Sequence, residues 1–101
     1  MAVKLYISQP MRGKCMTDIM AERKQLVAEA AVALRTDDIL VLDTLFVNHD
    51  RPRLAMLGRS IEKMAEADAV IFAPDWKQAA GCRVEHLAAS EYDMRILYGK
   101  G

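Results

Sequence analysis

The segment "DAVIFAPDWKQAAGCRVEHLAAS", Asp68 to Ser90, contains a strand, a loop and a helix in direct succession. Its first part is a short apolar run that ends at a proline, which is typical of a buried strand. After Gly81, apolar residues recur on one face of a helix: Val84, Leu87 and Ala88. Glu85 lies in about the first turn of this helix, beside the apolar stripe and directly after the glycine turn. The segment therefore predicts one unit of an α/β fold, with a carboxylate near the point where strand gives way to helix.

The remainder of the chain repeats this alternation. Short apolar runs predict three more strands: Val3–Ser8, Ile39–Asp43 and Met94–Tyr98. Helical spacing predicts one helix from about Met16 to Leu34, with Thr17 as its cap, and a second helix after Pro52. The second helix carries its apolar stripe on four residues: Leu54, Leu57, Ile61 and Met64.

This βαβαβαβ order predicts the fold class. Strands that alternate with helices favour a parallel sheet, and strands that are continuously apolar indicate that both sheet faces are covered. We therefore expect an α/β fold with a small doubly wound (flavodoxin/Rossmann-like) four-stranded parallel sheet. Its expected order is 2-1-3-4, with helices on both faces, and residues 1–101 are expected to form a single domain.

Composition excludes several classes of function. The chain has 101 residues, and its 14 Lys and Arg balance its 14 Asp and Glu, so we expect no nucleic acid polymer as a partner. It lacks an apolar run near the ~20 residues of a membrane span, and its start does not resemble a signal peptide. Two cysteines are too few for a disulfide framework. These features predict a cytoplasmic protein without a membrane partner.

The predicted topology places a ligand site. In open α/β sheets, ligands bind outside the carboxyl ends of the strands, where the strand order reverses. The loops that meet there are "SQPMRGK" and "PDWKQAAGC", and Glu85 belongs to the helix that follows the second loop. An ionised carboxylate at that point can stabilise or attack a developing oxocarbenium ion in glycosyl transfer. The alternative is that Glu85 only complements the dipole of the helix.

Other residues at this edge have open roles. Asp43 ends strand 2 and could contact a ligand or form a turn. The connection from Thr44 to Arg53 is long enough to serve as a lid or a subunit contact. Trp76 could stack on a base or pack against the loop. Cys82 and His86 share a helix but lack metal-ligand spacing with Cys15 or His49, so no metal is expected. The GxxxxGK and GxGxxG motifs are absent, and we expect no cofactor.

Two motifs carry a resemblance to a known family. "KLYISQPMRG" and "ADAVIFAPDWKQAAGCRVEHLAA" resemble the nucleoside 2-deoxyribosyltransferase superfamily, in particular its short, uncharacterised DUF4406-like branch, which is related to nucleoside-monophosphate N-hydrolases. The pattern of that group falls on these positions: Tyr6, Ile7, Ser8, Pro10, Asp68, Trp76, Gly81 and Glu85.

The resemblance implies specific roles. Glu85 would be the nucleophile that attacks the anomeric carbon, and Tyr6 would lie beneath the sugar and hydrogen-bond to Glu85. The loop Ser8 to Gly13 would hold the 5′ end of the ligand, with Arg12 suited to a 5′-phosphate. The implied substrate-binding residues are Ser8, Gln9, Pro10, Met11, Arg12, Gly13, Asp43, Ser60, Trp76 and Gly81.

Two positions depart from the family pattern. Gln9 stands where the group usually has glycine, and we expect its side chain to obstruct close approach of a ligand to the backbone. Ser60 stands near the place of an Asp in characterised transferases, and a hydroxyl is a poor general acid. The predicted function is N-glycosidic bond cleavage or (deoxy)ribosyl transfer on a nucleoside or nucleotide, without a cofactor, in a homo-oligomer. The alternative is a non-catalytic nucleotide-binding module or sensor on the same scaffold.

Overall fold

The computed structural model of the chain describes residues 2–42 and 52–100. Its elements, in chain order, are β1 (Val3–Ser8), α1 (Met16–Leu34), β2 (Ile39–Val41), α2 (Arg53–Met64), β3 (Ala69–Phe72), a 3₁₀ turn (Trp76–Gln78), α3 (Ala80–Glu91) and β4 (Ile96–Tyr98). No helix within these ranges is long and apolar enough to cross a membrane.

The four strands form one parallel sheet in the order β2-β1-β3-β4. β1 therefore lies in the interior of the sheet, and it pairs with β3 from Leu5↔Ala69 to Ser8↔Phe72. The first crossover runs from β1 to one side, whereas the later crossovers run to the other. This arrangement confirms the predicted fold class and strand order, and it puts the reversal of strand order between β1 and β3.

The two faces of the sheet are covered by different helices. On one face, Leu5 and Ile7 of β1 pack with Leu26 and Ala30 of α1. On the other face, residues of β1, β3, α2 and α3 form a second cluster. Its buried members are Tyr6, Met64, Val70, Phe72 and Ala89. Because side chains alternate along a strand, β1 serves both clusters. The prediction of helices on both faces is confirmed.

The C-terminal end of the described chain is held between α1 and β3. The Gly99 N–H donates to the Phe72 carbonyl at 2.7 Å, and the Lys100 N–H donates to Glu29 Oε1 at 2.7 Å. A Cβ at Gly99 would collide with the Leu26 side chain and lie 3.2 Å from the Phe72 carbonyl oxygen. The absence of a side chain at this position therefore allows the close packing of the two segments.

Several predicted boundaries are wrong. β2 ends at Val41, so that Leu42, which was predicted to belong to it, lies beyond the strand, and β4 begins at Ile96 and not at the predicted Met94. Thr17 is not the cap of α1: Cys15 occupies the N-cap position without a side-chain hydrogen bond, and Thr17 lies inside the helix. Asp43 and the predicted lid from Thr44 onward, up to residue 51, lie outside the described residues.

Candidate functional site

A buried carboxylate lies at the carboxyl edge of the sheet. Glu85 is 5% exposed, and both of its oxygens accept hydrogen bonds from β1. The Tyr6 hydroxyl donates to Oε2, and the Ser8 hydroxyl donates to Oε1 at 2.8 Å. The predicted hydrogen bond between Tyr6 and Glu85 is therefore present. Since Tyr6 and Ser8 are two residues apart on one strand, both side chains point to the face that α3 covers.

Glu85 lies deeper in α3 than the sequence predicts. The helix begins at Ala80 and has no acidic residue in its first turn, so Glu85 belongs to the second turn. Gly81 is a helical residue and not a turn, and a Cβ there would lie 3.8 Å from Leu57 Cδ1 of α2. The charge of Glu85 is consequently stabilised by two hydroxyl groups and not by the end of the helix, whose effect fades within the first turn.

Two of the three residues in the apolar stripe predicted on α3 face outward, and the third, Ala88, packs against the cluster that contains Phe72. Val84 and Leu87 are 42% and 59% exposed, whereas Glu85, Cys82 and Ala89 are buried. The orientation of α3 follows from its partners on the sheet: Tyr6 and Ser8 satisfy a carboxylate, and small residues of α3 allow close packing. α3 thus buries its Glu and exposes its Leu, an arrangement that the burial of apolar area alone does not explain.

Burial sets the protonation of this pair. Burial raises the pKa of Glu85 above its usual range, and the hydrogen bonds from Tyr6 and Ser8 act in the opposite direction. Burial, together with the negative charge of Glu85, strongly raises the pKa of Tyr6, which therefore remains a hydroxyl donor. A hydrogen bond with Ser60 of α2 partly offsets this shift. The structure thus brings Ser60 to the site, where it contacts Tyr6.

Cys82 lies one turn before Glu85 and is also buried. Burial raises the pKa of its thiol to about 11, against a hydrogen bond with Ser8 that lowers it. A thiol with such a pKa is a poor nucleophile near neutral pH. Cys82 therefore acts as a small buried residue in the first turn of α3, as predicted. Among the described residues, no group of three or more His, Cys, Asp or Glu could hold a metal ion.

The side chain of Gln9, which was expected to obstruct the approach of a ligand to the backbone, is held by hydrogen bonds to α1. Its Nε2 donates to Glu22 Oε1 at 2.8 Å and to the Ile19 carbonyl at 3.4 Å, and its Oε1 accepts from Arg23 at 3.1 Å. All three partners belong to α1. Gln9 is therefore drawn under α1, where it fixes the start of the loop that follows β1.

The rest of this loop lies progressively nearer to solvent. Pro10 is buried, Met11 is half-buried, and Arg12 and Gly13 are exposed. Gly13 has a φ of 80°, a conformation that L side chains rarely adopt, so a glycine is favoured there. The loop thus reaches from the buried Ser8 to an exposed cation at Arg12.

An ion pair joins the two loops at this edge. Lys14, from the loop after β1, lies 2.8 Å from Asp75 Oδ2, in the loop after β3, and 3.9 Å from Glu22 Oε1. Sequence analysis missed this pair, because a lone Lys and a lone Asp separated by 61 positions give no local signal. Only the convergence of the two loops at the reversal of strand order could have suggested it.

Trp76 packs against protein aromatic rings. Its ring stacks on His86 at a centroid distance of 4.0 Å and an interplanar angle of 16°, and it lies 5.6 Å from Phe72. His86 is in turn hydrogen-bonded through Nε2 to the Tyr98 hydroxyl at 2.7 Å. These contacts favour the packing role for Trp76 over base stacking, and they account for His86 without a metal.

Asp68 lies far from the site, although it belongs to the motif that carries the resemblance. It precedes β3 at the opposite edge of the sheet, where its Oδ2 accepts from the Lys4 N–H at 2.9 Å. Its own N–H donates to the Lys4 carbonyl at 2.8 Å. Asp68 therefore fixes the register of β1 and β3 where these strands begin.

With this geometry described, a comparison with protein families is informative. The family described as Domain of unknown function (DUF4406) matches residues 3–98. The chain belongs to this family. No curated protein and no solved structure matches the chain. The match spans the chain from β1 to β4 but names no function.

Proposed function

We propose that this DUF4406 protein cleaves or transfers the N-glycosidic bond of a nucleoside or nucleotide, with Glu85 as the nucleophile. The observation that supports the proposal most strongly is the buried Glu85, whose two oxygens are held by Tyr6 and Ser8 at the carboxyl edge of the sheet. The resemblance to nucleoside 2-deoxyribosyltransferases assigns the same role to Glu85 and also pairs it with Tyr6.

The proposed reaction has two steps. In the first, one Glu85 oxygen forms a bond to the anomeric carbon while the C–N bond breaks, and the bond's electron pair leaves with the base, which takes up a proton. In the second, water or another base attacks the same carbon and releases Glu85 as a carboxylate, with loss of a proton from the attacking group. Neither step requires a cofactor.

The surroundings of Glu85 suit this chemistry. The transition state of glycosyl transfer carries positive charge on the sugar, and a carboxylate removed from water stabilises such a charge more strongly than an exposed one. Tyr6 and Ser8 hold the carboxylate in one orientation and favour its ionised form against the effect of burial. The exposed Arg12 is suited to a 5′-phosphate of the substrate.

We also propose that the protein works in the cytoplasm as a homo-oligomer. The outer surfaces of α2 and α3 expose three large apolar side chains: Leu54, Val84 and Leu87. Large apolar side chains that are exposed on a helix surface are often buried by a protein–protein contact when they form one patch. Sedimentation analysis of the purified protein would measure the oligomeric state, and a monomer at all concentrations would contradict this part of the proposal.

Base release tests the catalytic proposal. The protein is incubated with deoxynucleosides, ribonucleosides and their 5′-monophosphates, with and without a second free base, and the products are separated by chromatography. We expect release from at least one substrate, and loss of that release in Glu85→Ala. Glu91→Ala is a matched control, since Glu91 is an exposed acid on the same helix.

The same experiment separates the catalytic role from a binding role. If no substrate is cleaved at high enzyme concentration, the proposal that the protein cleaves common nucleosides or nucleotides is wrong. Thermal stabilisation by one of these ligands, without cleavage, would then support the nucleotide-binding module, in which Glu85 recognises a ligand and does not react with it.

A further inference from the structure

The Glu85 site is closed in the described structure. Glu85, Ser8 and Cys82 are 5%, 1% and 5% exposed, so a ligand cannot contact the carboxylate without a local movement. The site is bordered by the loop after β1 and the loop after β3. Access to Glu85 therefore depends on what holds these two loops together.

An ion pair connects the two loops: Lys14 Nζ lies 2.8 Å from Asp75 Oδ2. Lys14 and Asp75 lie in the loops that follow β1 and β3, at the same edge of the sheet as the hydrogen bond between Ser8 and Glu85. Gly13, directly before Lys14, has a φ of 80° and open space around it. A glycine permits more backbone conformations than other residues, which favours a movement of Lys14 away from Asp75 once the turn hydrogen bond from the Lys14 N–H to the Met11 carbonyl, at 3.1 Å, is broken.

The strength of the pair suits a gate. The side chains of Lys14 and Asp75 are 32% and 28% exposed, so water and salt screen their attraction. Pairs of this kind stabilise by about 0–1 kcal/mol. In addition, Asp75 Oδ1 is buried without a hydrogen-bond partner, which lowers the stability of the closed arrangement. The closed form is thus favoured only slightly, and it can open readily.

We propose that the ion pair of Lys14 and Asp75 is a strap that closes the two loops over the Glu85 site and controls access to it. This inference rests on the proposed function for its biological meaning, but the strap can be tested without any substrate. Cys82 lies inside the closed site, and its thiol reports when the loops open.

The experiment measures the labelling of Cys82 by a small uncharged thiol reagent, in a Cys15→Ser background that removes the exposed cysteine. Because opening precedes labelling, the rate follows the population of the open form. We expect Lys14→Gln and Asp75→Asn each to speed labelling about two- to fivefold, in line with the modest strength of such pairs. Added salt should speed labelling of the parent protein and change the two variants little.

The two variants separate opening from a direct electrostatic effect on the thiol. Lys14 lowers the pKa of Cys82 and Asp75 raises it. A purely electrostatic effect would therefore slow labelling in Lys14→Gln and speed it in Asp75→Asn, whereas opening speeds both. Lys63→Gln is the matched control. It removes the ion pair between Lys63 and Glu66, whose charged atoms are 3.7 Å apart and which does not lie at this edge of the sheet, and it should leave the labelling rate unchanged.

Three results would overturn the strap: unchanged labelling in both variants, effects of opposite direction, or faster labelling that only follows a loss of global stability in urea. The charge-reversed double variant Lys14→Asp/Asp75→Lys should return the rate toward that of the parent protein. Base release is measured separately from labelling. If the protein releases no base but the variants label faster, the proposed function is wrong and the strap stands. If the protein releases base but the labelling rates are unchanged, the strap alone is wrong.

Discussion

The two faces of the sheet use the same strand in opposite ways. Leu5 and Ile7 of β1 point to α1 and enter an apolar cluster. Tyr6 and Ser8 point to α3 and hydrogen-bond to a buried carboxylate. One face therefore gains its stability from apolar burial, while the other places a charge where burial disfavours it. The α1 face is thus an apolar core, whereas the α3 face also contains the carboxylate to which we assign the proposed function.

The largest expected effect is on the activity of Glu85→Gln. The amide keeps the size of Glu85 but cannot attack the anomeric carbon, so base release should fall by roughly a thousandfold or more. Product chromatography under the conditions of the parent enzyme measures the loss. Base release near the parent rate would contradict the role of Glu85 as the nucleophile.

The same variant should be more stable than the parent protein at neutral pH. Because the folded-state pKa of Glu85 is raised above the unfolded value, the folded state binds the proton more tightly, and stability falls as the pH rises through these pKa values. Gln has no such loss. The gain in the free energy of unfolding, measured by urea denaturation, should therefore be present above the folded pKa and absent below the unfolded pKa. A variant less stable than the parent at neutral pH would contradict the expectation that burial of the Glu85 charge destabilises this face.

The next effect tests the opposite face. Leu26 is 1% exposed and belongs to the buried cluster that contains Leu5 and Ile7, so Leu26→Ala should destabilise the fold by about 2–5 kcal/mol. Urea denaturation measures the change. At low temperature, where the variant remains folded, its activity for each folded molecule should equal that of the parent. A selective loss of activity would show that the two faces are not independent.

A smaller effect is expected for Tyr6→Phe, which removes the hydroxyl that donates to Glu85. Loss of a hydrogen bond to a charged group should slow base release about tenfold or more. Since this hydrogen bond lowers the pKa of Glu85, its removal should raise that pKa and move the acid limb of the pH–rate profile to higher pH. If the acid limb of the variant lies at the same pH as that of the parent, Tyr6 does not influence the ionisation of Glu85.

The sequence predicts the α1 face better than the site. The bounds of α1, Met16–Leu34, are confirmed because apolar residues recur at helical spacing along 19 residues. The edge strands β2 and β4 are shorter than predicted, because pairing with a single neighbour is not visible in an apolar run. Asp43 and Arg12 keep their predicted roles as hypotheses, the first outside the described residues and the second exposed on its loop.

The details of the site could not be derived locally. The burial of Glu85 depends on hydroxyl groups that lie 77 and 79 positions away in the sequence. Helix periodicity alone predicts that Val84 and Leu87 are buried, whereas both are exposed. Gln9 illustrates the same limit, since its partners in α1 decide whether its side chain enters the site. Periodicity identifies an element, but contacts across the sheet decide which of its faces is buried.

The smallest expected effect compares the two edges of the sheet. Asp68 belongs to the motif that carries the resemblance, but it lies at the amino edge of the sheet, where its carboxylate and its N–H bind the backbone of Lys4. Asp68→Ala should therefore cost about 1 kcal/mol of stability, as expected for one hydrogen bond, and leave base release unchanged. Denaturation and product chromatography on the same preparation measure both quantities. A loss of activity without a loss of stability would place Asp68 in the function, and it would show that the carboxyl edge alone does not define the site.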